Sequence, residues 1–153
     1  MLRTVSKSDV QKLLMIENAV HIAPWTAETF EACLQSGYTG WVIEKEQQIC
    51  GFIIISLAKD ECHVLNLGVA HAHQGKGLGR QLMENALIFA KQQGIGIAYL
   101  EVRRSNSRAI SLYRKLHFHL VGERKSYYPT VAGYEDALIF AKSLQEEVNW
   151  CKE

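Results

Sequence analysis

The sequence predicts a mixed α/β fold, in which a central, mostly antiparallel sheet of six or seven strands is flanked by about four helices. Three stretches rich in Ile and Val follow one another between residues 40 and 69, and their short polar connections favour an antiparallel meander. Segments with helical periodicity lie before and after this meander and alternate with further extended stretches. With 153 residues and a mass of 17.3 kDa, the chain has the size of one domain, which we expect to span residues 1–153.

The first part of the chain is predicted to contain one short strand and two helices. A strand at about residues 2–5 precedes a helix that begins at Ser8-Asp9 and ends near Ala19. The apolar stripe of this helix consists of Val10, Leu13 and Leu14, continued by Glu17. Pro24 then disfavours helical structure, and Thr26 can cap the second helix.

The meander itself consists of three predicted strands, which are Gly40–Glu44, Ile49–Leu57 and Cys62–Val69. Side chains along a strand point alternately to the two faces of the sheet. Strict alternation in the third strand places on one face His63, Leu65, Leu67 and Val69. Val64 and Asn66 would then face the opposite side.

The rest of the chain begins with a glycine-rich turn, Gln74–Arg80, and an amphipathic helix that ends at Gly94. The remaining predicted elements are, in order, a strand at Ile97–Arg103, a helix that starts at Asn106, strands at Phe118–Glu123 and Tyr134–Ala141, and a marginally helical tail at Ser143–Glu153.

The composition excludes several classes of protein. Apolar residues make up 48% and charged residues 22%, as in globular proteins, which argues against a disordered or fibrous chain. No apolar run approaches the roughly 18 residues that a membrane span requires, and residues 1–5 do not begin an export signal, so we expect a cytoplasmic protein without membrane association. Residues 73–125 carry ten Lys/Arg and three Asp/Glu, whereas both flanks are acidic. This basic stretch suits a phosphorylated cofactor or a polyanion, or it is simply solvated charge.

The cysteines and histidines do not predict a metal site. No Cys-x-x-Cys pair occurs among Cys33, Cys50, Cys62 and Cys151, which favours buried or incidental thiols. His71-x-His73 and His117-x-His119 could each offer two ligands, but no third ligand of suitable spacing accompanies either pair. We therefore expect no metal.

The turn at residues 74–80 has the character of an anion site. Its glycines allow close approach to the backbone, and N–H groups at the start of the following helix lie at the positive end of the helix dipole. Lys76 and Arg80 would add charge-assisted hydrogen bonds to a phosphate. Lys76 is followed by Gly77 rather than by Ser or Thr, which excludes a Walker loop, and Gly79 comes one residue too early for the Rossmann pattern. ATP and NAD are therefore not expected ligands.

The pattern Gln74-x-x-Gly77-x-Gly79, placed between a strand and a helix, resembles the pyrophosphate loop of the GCN5-related N-acetyltransferase (GNAT) family. The resemblance continues, in the order and spacing of that family, at Leu100–Arg103, Ser105-Asn106, Ala109–Tyr113 and Leu116–Phe118. Over roughly residues 1–142 the chain is also similar to the bacterial branch that acetylates ribosomal proteins on an N-terminal alanine, through Ala23–Thr26, Tyr127–Thr130 and Gly133–Ala137.

This resemblance implies transfer of acetyl from acetyl-CoA to the α-amino group of an N-terminal alanine, in that branch the alanine of the eighteenth small-subunit ribosomal protein. Carried over by position, the acetyl and pantetheine end would be bound by the backbone of Leu67, Gly68 and Val69. The pyrophosphate would be bound by Gln74, Gly75, Lys76, Gly77, Leu78, Gly79 and Arg80, with a further contact from Asn106. Glu101 would be the general base and Tyr113 the general acid.

Elementary chemistry agrees with these two roles. An α-amino group has a pKa of about 7.7–8.0 and must lose a proton before it attacks a thioester, which a carboxylate such as Glu101 can accept. A backbone N–H near Val69 could hold the tetrahedral oxyanion, and Tyr113 could give the departing thiolate a proton. From the residues alone, Glu101 could instead pair with Arg103 or a lysine, and Tyr113 could pack on the helix stripe with or without such a role.

Five further residues are predicted to frame the acceptor site: Trp25, Tyr127, Tyr128, Glu135 and Asp136. The aromatic rings would pack on a peptide, and the carboxylates would attract a basic N-terminal tail. Alternatively, Trp25 seals the helix junction and Asp136 is a hairpin charge.

Two residues depart from the family's usual pattern. His117 stands after a helix where the family usually has glycine, and a left-handed backbone there would cost about 1 kcal/mol or more. Gly68 replaces a more usual alanine, which could loosen the strand or widen the acetyl pocket for a longer acyl group.

Two other functions stay open from the sequence. One is acetyl transfer to a small amine or a lysine side chain, although the Tyr127–Pro129 segment argues against it. The other is noncatalytic binding of CoA or nucleic acid, with phosphates held by Arg103, Arg104, Arg108 and Arg114. Glu101 and Tyr113 argue for an enzyme, for which no direct nucleic-acid binding is expected.

Overall fold

The computed structural model describes residues 1–145, and over these residues it has one seven-stranded sheet in the order β1-β2-β3-β4-β5-β7-β6. The strands are β1 Leu2–Thr4, β2 Thr39–Lys45, β3 Gln48–Ala58, β4 Glu61–Val69, β5 Ile97–Arg103, β6 His119–Thr130 and β7 Gly133–Ser143. The α-helices are α1 Val10–Val20, α2 Ala27–Gln35, α3 Leu78–Gln92 and α4 Ser107–Lys115, and short 3-10 turns lie at Lys7–Asp9 and His71–His73. All neighbouring strands are antiparallel except β4 and β5.

The predicted mixed fold and its mostly antiparallel sheet are confirmed. The cap residues also behave as expected: the Thr26 hydroxyl accepts a hydrogen bond from the Thr29 N–H, and the Asn106 side chain accepts one from the Ala109 N–H. The main difference is the length of β6, which continues to Thr130 rather than ending at Glu123. The predicted helical tail lies largely outside the described residues, and Ser143 itself ends β7.

Two apolar clusters hold the helices against opposite faces of the sheet. On one face, α1 and α2 pack against β2 and β3 around Leu13, Phe30 and Phe52. On the other face, α3 and α4 cover the sheet through residues such as Leu82 and Tyr113. Burial of these apolar surfaces is the main force that fixes the helices on the sheet.

A β-bulge at Leu65 changes the face of several β4 side chains. Ile54 pairs with Asn66 while its neighbour Ile55 pairs with Val64, so Leu65 is an extra residue in β4. Because of this insertion, Val64 and Leu67 both pack in the α3 cluster, and Asn66 turns to the α1 side. The predictions that His63 shares a face with Leu67 and Val69, and Val64 with Asn66, were therefore wrong, since strict alternation fails at a bulge.

The parallel pair β4 and β5 is paired only over its first half. Backbone pairing runs from Glu61 with Ile97 to Val64 with Leu100 and ends there. Beyond this point, at the bulge, the two strands separate, and later residues of both strands line a common cleft. The sheet is thus open between Leu67–Val69 and Glu101–Arg103.

A wide irregularity in β6 is closed by a carboxylate of β7. Arg124 pairs with Ala137 and Tyr128 with Glu135, so residues 125–127 stand opposite Asp136 alone. Asp136 accepts a hydrogen bond from the Ser126 N–H at 2.9 Å, and Ser126 has a positive φ of 50°. The carboxylate thereby stabilises a backbone path that ordinary residues avoid.

The end of α4 is a Schellman motif built on a non-glycine residue. His117 has φ of 68°, its N–H bonds to the Arg114 carbonyl, and the Phe118 N–H bonds to the Tyr113 carbonyl at 3.0 Å. The Phe118 ring packs 6.1 Å from the Tyr113 ring, which is the apolar contact typical of this motif. The left-handed conformation considered for His117 is confirmed.

We expect His117→Gly to stabilise the protein by about 1 kcal/mol, because glycine adopts this backbone conformation without a Cβ penalty. The gain corresponds to a rise in melting temperature of about 2–4 °C for a chain of this size. Urea unfolding of the variant measures it, and His119→Gly, in the neighbouring strand β6, should instead lose stability. Equal or lower stability of His117→Gly would contradict the assignment of backbone strain.

Candidate active site

A cleft of about 1090 Å³ opens where β4 and β5 separate. It extends from the α1–α2 connection, past the ends of both strands, to the start of α3 and one side of α4. Of the residues predicted to form the site, it contains Trp25, Leu67, Gly68, Val69, Gln74, Gly75, Gly77, Leu78, Gly79, Arg80, Glu101, Asn106, Tyr113 and Tyr128. One cavity therefore collects residues from distant parts of the sequence.

The backbone of β4 offers polar groups to this cleft. The Ala70 N–H bonds to the Cys50 carbonyl of β3, and hydrogen-bonded and non-hydrogen-bonded pairs alternate along an antiparallel ladder. Val69 and Leu67 are therefore non-hydrogen-bonded positions relative to β3, and their N–H and C=O groups point toward the gap beside β5. The Val69 carbonyl accepts a hydrogen bond from Gln74 Nε2 at 3.0 Å, which agrees with this direction.

Gly68 faces the α1 layer and not an acyl pocket. An added Cβ would lie 2.8 Å from Cε1 and 3.1 Å from Cζ of Phe52, whose buried ring fills the space beside Gly68. By the same alternation, the backbone groups of Gly68 point toward β3. The expectation that Gly68 widens the acetyl pocket is corrected, because the missing side chain makes room for Phe52.

Gly68→Ala should destabilise the fold by about 1–3 kcal/mol, since a methyl group would overpack the contact with the Phe52 ring. The measurement is a double-mutant cycle in urea with Phe52→Leu, which frees space at the same point. We expect the alanine to cost clearly less in the Phe52→Leu background. An identical cost in both backgrounds would show that the two residues do not compete for space.

The glycine-rich turn supplies a pre-shaped approach to the start of α3. Gly75 and Gly77 have φ of 78° and 80°, and a Cβ at either position would meet no atom of the described chain within 4 Å. Gly77 is the N-cap of α3, so free N–H groups of the first helical turn lie next to it. Arg80 lines the cleft while bound to Glu84, whereas exposed Lys76 does not line it. The turn fits a phosphate group, with its charge stabilised by the helix N-terminus.

Residues of α4 and its N-cap lie beside the glycine-rich turn and hold Gln74 in place. Arg108 donates a hydrogen bond to the Gln74 side-chain oxygen, while the Gln74 amide group is bound to Val69. Asn106 caps α4 and also lines the cleft. Gln74 is thus held from both sides.

Glu101 lies in β5 just beyond the last pair with β4, where its side chain reaches the cleft. The carboxylate is 30% exposed and forms an ion pair with Arg124 of β6, with Nε and Oε1 2.9 Å apart. Neither the predicted alternative partner Arg103 nor a lysine pairs with Glu101 within residues 1–145. A partly exposed carboxylate in a cleft can accept a proton from a bound amine.

Tyr113 lies on α4, where its ring packs in the core and the residue also lines the cleft. The residue is 7% exposed, and its ring packs near Phe118 and Phe140. Burial, with a smaller effect from Tyr128, raises the pKa of Tyr113 well above its ordinary value, so the hydroxyl keeps its proton at neutral pH. Packing in the core and donation of a proton into the cleft are therefore compatible.

Two aromatic residues, Trp25 and Tyr128, also line the cleft. Trp25 packs edge-on against Phe30 with 5.1 Å between ring centroids, so it also seals the junction of α1 and α2. Tyr128 lies beneath the Arg103 guanidinium, 4.6 Å from its ring centroid, and burial followed by the charge of Glu101 raises the pKa of Tyr128. Both rings offer apolar surface on which a peptide can pack.

The other three predicted acceptor residues do not line the cleft. The ring of Tyr127 packs against that of Tyr128, with 5.0 Å between the ring centroids. Glu135 accepts a hydrogen bond from the Ser105 hydroxyl, and its Oε1 lies 3.8 Å from Arg103 Nη1. Asp136 is occupied by Ser126, Lys125 and Arg104. In the structure these carboxylates support the β6–β7 hairpin, which places Tyr128.

A buried carboxylate beside the cleft was not assigned a functional role from the sequence. Glu17 is 1% exposed and accepts hydrogen bonds from the Trp25 N–H at 2.9 Å and Asn66 Nδ2 at 3.1 Å, and its Oε1 lies 2.5 Å from His21 Nδ1. Burial alone would raise the pKa of Glu17, but its hydrogen bonds to His21 and Trp25 lower it. An acidic residue on the apolar stripe of α1 was the available signal.

The described residues contain no group of three or more His, Cys, Asp or Glu side chains that could hold a metal. Cys33, Cys50 and Cys62 are free thiols, and burial raises the pKa of Cys62 to about 11. Among the helices of residues 1–145, none is long and apolar enough to cross a membrane.

Comparison with known proteins gives consistent matches. Residues 9–118 match the model of the acetyltransferase (GNAT) family. The [ribosomal protein bS18]-alanine N-acetyltransferase of Escherichia coli K12 is 33% identical over 138 residues, which cover 90% of this chain and 93% of that protein.

Solved structures agree with these matches. The crystal structure of the Escherichia coli ribosomal-protein-S18-alanine N-acetyltransferase superposes with a TM-score of 0.91 at 31% identity, covering 98% of this chain and 97% of that chain. Arabidopsis thaliana NAA60 in complex with acetyl-CoA has a TM-score of 0.82 at 18% identity, covering 94% and 97%, and so shares the fold.

Proposed function

Since the chain belongs to the acetyltransferase (GNAT) family, we propose that it transfers acetyl from acetyl-CoA to the α-amino group of the N-terminal alanine of ribosomal protein bS18. The observation that carries this proposal is the single cleft in which an open glycine turn, the unpaired backbone of β4, Glu101 and Tyr113 meet. In this proposal acetyl-CoA is the cosubstrate, and the reaction takes place in the cytoplasm.

The donor side fits a phosphorylated thioester. The N–H groups at the start of α3 would bind the pyrophosphate, together with Arg80 and the backbone around Gly75 and Gly77. The gap-facing N–H groups of Leu67 and Val69 would bind the pantetheine arm and the acetyl carbonyl, which leaves Gly68 to provide room for Phe52. Gln74 and Asn106 complete this wall.

The chemical step would use three groups of the chain. Glu101 would accept a proton from the incoming ammonium group, directly or through water, so that the neutral amine attacks the acetyl carbonyl. The Val69 N–H would stabilise the negative charge that develops on the carbonyl oxygen. Tyr113, kept protonated by burial, would donate a proton to the leaving sulfur, and its oxygen would take up the second proton that the nitrogen loses as the amide forms.

Tyr113→Phe should lower kcat by about 10²-fold while the dissociation constant of acetyl-CoA stays the same, because only the proton donor is removed and the ring still packs near Phe118. Tyr99→Phe is the matched control, since Tyr99 lies in β5, stacks on His63 and does not line the cleft. Steady-state kinetics measure both variants. A wild-type kcat in Tyr113→Phe would remove the general-acid assignment.

The arginines of the basic stretch already have partners, which weakens the nucleic-acid alternative. Arg103 donates to the Pro129 carbonyl, Arg104 pairs with Glu123, and Arg108 binds Gln74. Arg114 stacks on Phe140 with 5.6 Å to the ring centroid. These arginines therefore make contacts that stabilise the cleft and the β6–β7 hairpin.

Mass spectrometry tests the proposed reaction. An Ala-starting peptide with the N-terminal sequence of bS18 is incubated with the protein and acetyl-CoA, beside the same peptide with a blocked amino terminus. We expect one acetyl group on the free terminus and none on the blocked peptide. Acetylation of the blocked peptide would show lysine transfer, and no transfer despite CoA binding would favour a small amine or a noncatalytic role.

A further inference from the structure

We infer that Glu17 is a positioning residue that holds the acceptor wall of the cleft against the acetyl-binding strand through hydrogen bonds to Trp25, His21 and Asn66. The inference deepens the proposed function and rests on it. In this role the Glu17 carboxylate makes hydrogen bonds to other residues of the protein and does not contact the reacting atoms.

The geometry joins three separate segments at one carboxylate. Glu17 Oε2 accepts from the backbone N–H of Trp25, in the connection between α1 and α2, and from Asn66 Nδ2 in β4. Glu17 Oε1 is paired with His21, which begins the same connection. The carboxylate therefore ties the position of Trp25 to that of β4.

Asn66 occupies the position in β4 that makes this link informative. It directly follows the bulge residue Leu65 and directly precedes Leu67, whose backbone points into the gap. Asn66 is itself 8% exposed, and Glu17, Trp25, Asn66 and Leu67 all border the cleft. A shift at Glu17 would change the distance between the wall for the peptide and the backbone proposed to bind the acetyl group.

A buried carboxylate contributes little to the stability of a fold, because it loses its hydration. Burying it costs free energy unless it is hydrogen-bonded, and an apolar side chain would suit the Leu13–Ile16 side of α1 better. What the carboxylate supplies is a set of directional contacts, since two oxygens accept from donors on two other segments. This favours a role in geometry over one in stability.

The role differs from that of a base in its response to an isosteric amide. In Glu17→Gln, the amide oxygen can still accept from Trp25 and Asn66, and the amide NH₂ can donate to His21 in its other tautomer. Glu17→Met has similar size but makes none of these contacts. A positioning residue should thus be replaced well by Gln and poorly by Met.

The experiment measures peptide transfer and the hydrogen exchange of the Trp25 amide by NMR. In Glu17→Met we expect peptide KM to rise about tenfold or more, kcat to change by less than about threefold, and acetyl-CoA affinity to persist. The Trp25 amide should exchange about tenfold faster or more, because its acceptor is gone. Glu17→Gln should stay within about threefold of wild type in each measurement.

Asp9→Asn is the matched control, because Asp9 is a buried carboxylate just before α1 that is bonded to Arg3 and Ser6 and lies away from the cleft. It should leave peptide KM within about twofold. If Glu17→Met does not fold, Asn66→Ala breaks the link to β4 and should raise peptide KM about threefold or more.

Several results would overturn the inference: an unchanged peptide KM in Glu17→Met or in Asn66→Ala, an equal loss in Glu17→Gln and Glu17→Met, or a similar loss in Asp9→Asn. Failure of the proposed function is distinguishable from these results. It would appear as no transfer by the wild-type protein, whereas Trp25 exchange requires no substrate and tests the Glu17 contacts by itself.

Discussion

Glu101→Gln is expected to lower kcat for acetyl transfer by about 10²- to 10⁴-fold, because the amide cannot accept the proton that the α-ammonium group must lose. The side chain keeps its size and can still accept a hydrogen bond from Arg124, whose Nε lies 2.9 Å from the present carboxylate. The fold and the dissociation constant of acetyl-CoA should therefore remain close to wild type. Single-turnover transfer to the Ala-starting peptide and calorimetric titration with acetyl-CoA measure the two quantities separately.

The matched control is Glu123→Gln. Glu123 is also a strand carboxylate in an ion pair with an arginine, 2.5 Å from Arg104, but it lies outside the cleft. Its replacement should leave the rate of transfer within about twofold, since loss of an exposed ion pair has small effects. Equal activity of Glu101→Gln and wild type would show that another group or the solvent removes the proton.

The second large effect is expected at the glycine turn. Gly77→Val should raise the dissociation constant of acetyl-CoA about tenfold or more, which corresponds to about 1.4 kcal/mol of lost binding free energy. A β-branched residue is strained at φ of 80°, and its side chain would project from the N-terminus of α3 where a phosphate must approach the backbone. Fluorescence or calorimetric titration measures the constant.

Gly94→Val separates binding from backbone strain. Gly94 follows the other end of α3, has a similar φ of 84°, and a Cβ there would also meet no atom of the described chain within 4 Å. Both valine variants should lose comparable stability, but only Gly77→Val should lose acetyl-CoA affinity. If both variants bind acetyl-CoA as wild type does, the cofactor does not use this turn.

Local signals in the sequence were sufficient for most of the fold. Thr26, Asn106 and Gly94 mark helix ends through chemistry that acts within a few residues, and the structure uses each of them in that way. The strands of the meander were equally accessible, because their apolar runs are separated by short polar connections.

The parts that escaped prediction depend on partners far away in the chain. The bulge at Leu65 follows from how β4 pairs with β3, and period-2 patterning carries no sign of an inserted residue. The partner of Glu101 is Arg124, which only the β5-β7-β6 order brings near. Glu17 was seen as part of a helix stripe, but its bond to Asn66 spans 49 residues.

The separation of β4 and β5 has a consequence for how such an enzyme can change over evolutionary time. In the proposed site, the acetyl donor is held largely by main-chain groups of β4 and of the glycine turn, which most substitutions leave in place. The acceptor would be met by side chains from the α1–α2 connection, around Trp25, and from the β6–β7 hairpin, around Tyr128. Mutations that alter these two segments can redirect the enzyme to new amine substrates while the acetyl donor stays the same, so substrate range and donor use can diverge independently within one fold.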